Sequence, residues 1–180
     1  ASTITMQLVR VLEPRPRTLT SKITEAFRAS QLELRLDKNE ILEAYLSFVP
    51  FGKNIEGVEA ASLSYFGRRA HHLDAEQIAT LIAVPQNPNA RYPSAQNSKR
   101  LKQARDHVAR LLALQGQLSL SPGETINDAV FNRPVPKELS SFPREIPHLA
   151  MWIKQRSGRD DRIVSTIDPG IQRISEEHIA

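Results

Sequence analysis

The 180 residues contain no cysteine, which excludes a disulfide framework and any thiolate metal site while leaving the compartment open. No apolar run approaches the roughly 20 residues a membrane span requires, and the longest, Ala79 to Val84, stops at Pro85. Up to Leu114 there is no period-two alternation of apolar and polar positions, so the first domain reads as nearly all α. Aromatic residues are only 6% of the chain and do not interleave with the basic ones, so nothing beyond net charge points to nucleic acid. Neither an initiator methionine nor a signal-peptide pattern opens the chain, which reads as a fragment whose anchor lies upstream.

What is present is ordinary globular composition, 40% hydrophobic and 24% charged, enough for one domain with a core or one domain plus part of another. A net charge of +4 and a pI near 9.6 suit an anionic partner, whether phosphate, acidic headgroups or nucleic acid, without choosing among them. Asp37 with Glu40, and Asp74 with Gln77, form capping-box patterns that open helices over Ile41–Leu46 and Ile78–Ile82. Pro50 to Asn54 is turn chemistry, Val58 to Phe66 a helix ended by Gly67, and Ser98 to Leu114 a helix with its basic residues on one face. Pro85 to Pro93 should be irregular. From Gly116 to Pro147 prolines and Pro122-Gly123 argue for a linker or an irregular surface strap, giving a first domain at 1–116, a linker at 117–146 and a second, cut-off domain at 147–180. That last stretch reads as a short helix at 149–153, a strand at 163–167, and a turn at Asp168 into a helix from Ile171.

The first twenty-five residues carry the polar chemistry. A helix opened by Ser2 as N-cap puts Thr3, Gln7 and Arg10 on one stripe and Ile4, Leu8 and Val11 on another. Glu13-Pro14-Arg15-Pro16-Arg17 cannot continue it and reads as an exposed, basic, mobile link. Beyond it Lys22 and Glu25 share one helix face, avoiding the apolar set Ile23, Ala26, Phe27, Ser30 and Leu34, so two cations and one carboxylate can meet. Alone, such an i,i+3 pair is a solvated contact worth about 0.2–0.5 kcal/mol, and the first stripe is the wet side of an amphipathic helix. The adjacent His71 and His72 lack a carboxylate cluster and are assigned no metal.

Four stretches in order change the weighing: Ser2-Thr-Ile-Thr-Met-Gln-Leu-Val-Arg10, Lys22-x-x-Glu25, Lys38-x-x-Ile-Leu-Glu-x-Tyr-Leu46 and Ala60-Ala-Ser-x-x-Tyr-Phe-Gly67. Together they resemble the peptidoglycan glycosyltransferase domain of class A penicillin-binding proteins, most like the 1C type, and Val164-Ser-Thr-Ile-Asp-Pro-Gly-Ile-Gln-Arg173 is similar to the opening of the transpeptidase domain that follows there. The resemblance implies a mainly α, lysozyme-like lobe, truncated at its N-terminus, then a linker and the first elements of an α/β transpeptidase domain. It implies polymerisation of lipid II with release of undecaprenyl diphosphate, on the outer face of the bacterial cytoplasmic membrane, with the membrane surface and other cell-wall synthesis proteins as partners. Residue by residue, Thr3, Gln7, Arg10 and Lys22 match the donor-diphosphate positions and Glu25 the second carboxylate, thought to assist the reaction or hold a divalent Mg or Mn ion.

Departures accompany the match. The family's Glu-Asp-x-x-Phe-x-x-His-x-Gly motif, with the principal catalytic glutamate, is not among these residues, so the fragment should be inactive alone. Ser21 stands where the family usually has arginine, leaving Arg15 or Arg17 to supply that charge, and no Ser-x-x-Lys in the C-terminal part supports transpeptidase chemistry. The alternative is a degenerate lobe kept as a protein- or membrane-interaction module. Glu43 and Tyr45 read as packing and hydrogen-bonding residues, and Val11 and Leu12 as candidates for lipid contact.

Overall fold

Capping side chains set most of the helix starts. In this computed structural model, which describes residues 2–16 and 18–140 together with Trp152, Asp168 and Ile171, α1 spans Ile4–Leu12 and α2 Leu19–Glu33. The N-cap of α1 is Thr3, one residue later than the sequence reading had it, and its hydroxyl accepts from the Met6 N–H at 3.2 Å. Thr18 caps α2 in the same way. Both capping boxes are complete: Asp37 and Glu40 open α3 (Lys38–Phe48), and Asp74 and Gln77 open α5 (Ala75–Ala83).

Between α3 and α4 (Val58–Phe66) the expected turn is the tip of a two-stranded antiparallel hairpin, β1 (Pro50–Gly52) and β2 (Ile55–Glu56). Strands of three and two residues are too short to show alternation, so periodicity cannot find them. Lys53 and Asn54 both take positive φ, as a tight hairpin turn demands. Gly57 then enters α4 at φ 82° with its Cα facing α3, where an added Cβ would lie 2.6 Å from the Ser47 carbonyl oxygen. Gly57→Ala is therefore expected to lower stability by about 1–3 kcal/mol, read as a fall in Tm with no loss of helical signal below the transition.

The core lies under this hairpin. Phe51, Tyr65, Leu81, Val84 and Leu101 bring β1, α4, α5 and α7 (Ser98–Leu114) together, and Tyr65 donates its hydroxyl hydrogen to the Phe51 carbonyl. Ala61, Ser62 and Ser64 on α4 are wholly buried, their small side chains allowing close approach. The Pro85–Pro93 loop contains one further short helix, α6 (Pro88–Arg91), with proline at its first position where the missing N–H costs nothing.

The proline-rich stretch after α7 packs as a strap rather than hanging as a linker: the first compact unit extends to Ser140. Ala129 and Val130, in a short π-helical turn (Asn127–Phe131), are buried against α5 and α7, and Val135 joins the main core. Polar ties hold it as well. The fully buried Arg105 donates to the Arg133 carbonyl at 2.8 Å, Lys102 to the Phe131 carbonyl at 2.9 Å, and Ser140 N–H to the Ser64 carbonyl at 2.6 Å. Of the second unit, Ser141–Ala180, the Asp168 carboxylate accepts from Ile171 N–H at 3.2 Å, the contact of a helix start. The expected strand at 163–167 lies outside the described residues, as does most of the helix expected at 149–153.

Periodicity separates the faces of α2 without saying which of them is buried. The apolar set of α2 faces outward, with Ile23 66%, Phe27 63% and Leu34 87% exposed, while Glu25 and Ala29 are the buried positions. On α1 the buried residues are Thr5, Leu8 and Val9, leaving Ile4 and Leu12 exposed.

Candidate functional site

α1 and α2 bury few apolar side chains between them, and polar links fix their mutual position. Thr5 on α1 donates to Glu33 near the end of α2 at 2.6 Å. Near the other end of α1, Arg10 grips Glu25 in a bidentate fork, Nε to Oε1 at 3.0 Å and Nη2 to Oε2 at 2.6 Å. A planar guanidinium matches a carboxylate in this way where lysine cannot. On its other side α1 meets α3, where the Tyr45 hydroxyl donates to Gln7 Oε1 at 3.3 Å.

The fork has an electrostatic consequence. The Arg10 hydrogen bonds hold the Glu25 carboxyl below its ordinary range against the opposing pull of burial, and the charges of Arg10, Arg15 and Lys22 act in the same sense. Glu25 in turn raises the Arg10 guanidinium above its ordinary value. The carboxylate is therefore ionised at neutral pH and unsuited to donating a proton. Arg10 keeps its Nη1 amino group without a partner among the described residues, and its side chain is 41% exposed. It can hold Glu25 and still present N–H donors outward.

The five expected residues are thus distributed as follows. Gln7, Arg10 and Glu25 are linked to their neighbours, Lys22 lies exposed where its charge reaches Glu25, and Thr3 is an exposed cap whose oxygen is engaged by the helix start. Ser21 sits in the capping turn of α2, its Oγ 2.8 Å from the Thr18 hydroxyl. Arg15, offered as a substitute for the missing cation, pairs with Glu13 at 2.6 Å yet still acts on Glu25 through its charge. Arg17 lies outside the described residues. Tyr45 makes the expected hydrogen bond, but to a site residue, whereas Glu43 is exposed in an open groove of about 620 Å³ between α3 and α4. His71 and His72 lie on an exposed 3-10 turn with their rings 4.0 Å apart and tilted by 44°.

A divalent cation does not fit this arrangement. Both Glu25 oxygens accept from Arg10, and no group of three His, Asp or Glu residues able to hold a metal occurs among the described residues. Nor is any helix among them long and apolar enough to cross a membrane.

Comparison with known proteins gives this geometry a family. Penicillin-binding protein 1C of Escherichia coli (strain K12) is 37% identical over 179 residues, 98% of this chain and 22% of its own length. Penicillin-binding protein 2D of Bacillus subtilis (strain 168) is 32% identical over 193 aligned positions, covering 99% of this chain and 28% of its own length, so the chain spans about a quarter of such relatives. The crystal structure of penicillin-binding protein 1A from Haemophilus influenzae shares the fold with a TM-score of 0.51 at 24% identity, over 70% of this chain and 19% of that one. The family model described as Transglycosylase matches residues 1–113, from the first residues of the α1 motif nearly to the end of α7, and the chain belongs to that family, homologous to the glycosyltransferase domains of penicillin-binding proteins.

Proposed function

We propose that these residues are the diphosphate-holding half of a glycosyltransferase that polymerises lipid II into glycan strands. In the reaction the 4-hydroxyl of the acceptor sugar attacks the anomeric carbon of the growing strand. The bond from that carbon to the diphosphate oxygen breaks with inversion, and undecaprenyl diphosphate departs with the electron pair. The charge gathering on the leaving oxygens requires fixed cations, and the proton of the attacking hydroxyl requires a base. Arg10 through its open Nη1 edge, Lys22, and the Gln7 amide supply the first requirement, with Thr3 at the exposed start of α1. Glu25, held as a carboxylate, fixes the Arg10 fork. The base belongs to a Glu-Asp-x-x-Phe stretch, which does not occur in these residues, so they should turn over no lipid II by themselves.

The observation that carries this reading is the Arg10–Glu25 fork, which joins two separate motifs of the matched region into one charged site. A polyprenyl substrate puts the work at a membrane surface, by family resemblance the outer face of the cytoplasmic membrane, and the exposed apolar residues of α1 and α2 fit contact with such a surface. The test is lipid II supplied to the intact protein in detergent or liposomes. Glycan strands and free undecaprenyl diphosphate are the expected products; their absence, with lipid II bound but unconsumed, would favour an interaction module.

A further inference from the structure

We propose that Tyr45 is a positioning residue that fixes the Gln7 carboxamide so that its amino group, and not its oxygen, faces the anionic part of the donor. This rests on the reading of α1 as the diphosphate site. A carboxamide presents an acceptor at one end and two N–H donors at the other, and the two orientations differ by a simple flip. An anion is welcomed by one and repelled by the other. The Tyr45 hydroxyl occupies Gln7 Oε1 at 3.3 Å, and Gln7 Nε2 has no partner among the described residues. With the phenol donating to Oε1, the carboxamide stands in the orientation that leaves its N–H groups free. Gln7 lies one turn before Arg10, whose Nη1 edge is likewise open, so the two sets of donors belong to one stretch of helix.

Tyr45 is suited to this task by where its ring is held. The ring packs against the main core formed by Val49, Phe51, Tyr65 and their neighbours, while the hydroxyl crosses to α1, which contributes no residue to that core. The thin α1–α2 layer thereby receives a fixed point from the best-packed part of the lobe. Burial also pushes the phenol above its ordinary value, so it remains a donor at physiological pH.

The experiment is a double-mutant cycle in the intact protein, with Tyr45→Phe, Gln7→Leu and the pair. Lipid II turnover and calorimetric binding of inorganic pyrophosphate are the two readouts. Tyr45→Phe keeps the ring and removes only the hydroxyl. It should raise KM for lipid II and weaken pyrophosphate binding by about three- to ten-fold, the effect of one hydrogen bond, with kcat changed by less than about two-fold. In the Gln7→Leu background the same substitution should do nothing further. An equal loss in both backgrounds would show that Tyr45 acts through packing, and an unchanged KM and pyrophosphate affinity in Tyr45→Phe would also overturn the proposal. If wild type binds pyrophosphate but does not polymerise lipid II, the enzymatic reading fails while the binding cycle still decides Tyr45. If wild type binds no pyrophosphate, both fail.

Discussion

Glu25→Gln in the intact protein should lower kcat for lipid II polymerisation by about a hundred- to a thousand-fold, the scale at which a single preorganised electrostatic group acts. Glutamine keeps the size and one acceptor but loses the charge that fixes the Arg10 fork. KM should not rise with it, because removing a carboxylate from beside Arg10 and Lys22 makes the site more attractive to a diphosphate. That split separates a role in the site from damage to the fold. Polymerisation at the wild-type rate would remove Glu25 from the site. A pH profile gives a second check: the folded carboxyl lies below its ordinary value of 4.5, so its stabilising contribution is present above that value and is lost as pH falls through the depressed one. The Tm difference between wild type and Glu25→Gln should accordingly be full at neutral pH and close in acid.

The largest loss of stability is expected from Arg105→Ala, about 3–5 kcal/mol, the cost of breaking a buried ion pair by removing one partner. Arg105 is wholly buried, with Nε and Nη2 on Asp106 Oδ1 at 2.9 and 2.7 Å, and Nη1 on Glu76 Oε1 at 3.3 Å and the Arg133 carbonyl at 2.8 Å. Removing it leaves the buried Glu76 carboxylate without its cation, although Asp106 keeps Lys102 at 2.9 Å, and it takes away one of the strap's polar ties, so limited proteolysis should cut within residues 117–140 before the rest of the lobe unfolds. Urea unfolding of the variant measures the first effect and the rate of nicking the second; an unchanged midpoint would refute the structural role. Glu76 behaves oppositely to Glu25. Burial raises its carboxyl despite the Arg105 charge and the Thr80 hydrogen bond, so its contribution is greatest below the ordinary carboxyl value and declines as pH rises through the raised one.

Several features are local, and local chemistry was enough to find them. Asp37 with Glu40 and Asp74 with Gln77 act within one turn of the helices they open, and Gly67 takes the left-handed conformation, φ 64°, that closes α4. The helix Ser98–Leu114 has the bounds its apolar spacing implies. Gln7, Arg10, Lys22 and Glu25 could be named as candidates because they lie in two short motifs, both inside the region that the family model matches. The hairpin escaped because its strands are shorter than the period that would reveal them. Linker and surface strap both stayed open for the stretch after α7, because proline-rich composition reports backbone restriction and says nothing of what Ala129, Val130 and Val135 will touch.

By itself, then, the sequence determined where α3 and α5 begin, where α4 ends and how far α7 runs, which residue types the first two helices carry, and the family to which they belong. Tertiary structure alone decided which way α2 turns. Its apolar residues Ile23, Phe27 and Leu34 point outward, and Glu25 turns in because a guanidinium fifteen residues earlier is there to receive it. Periodicity describes a helix's two faces but contains no information about the partner that each face will meet. A charge can be buried only where another element brings its counterpart, and that is a property of the assembled lobe.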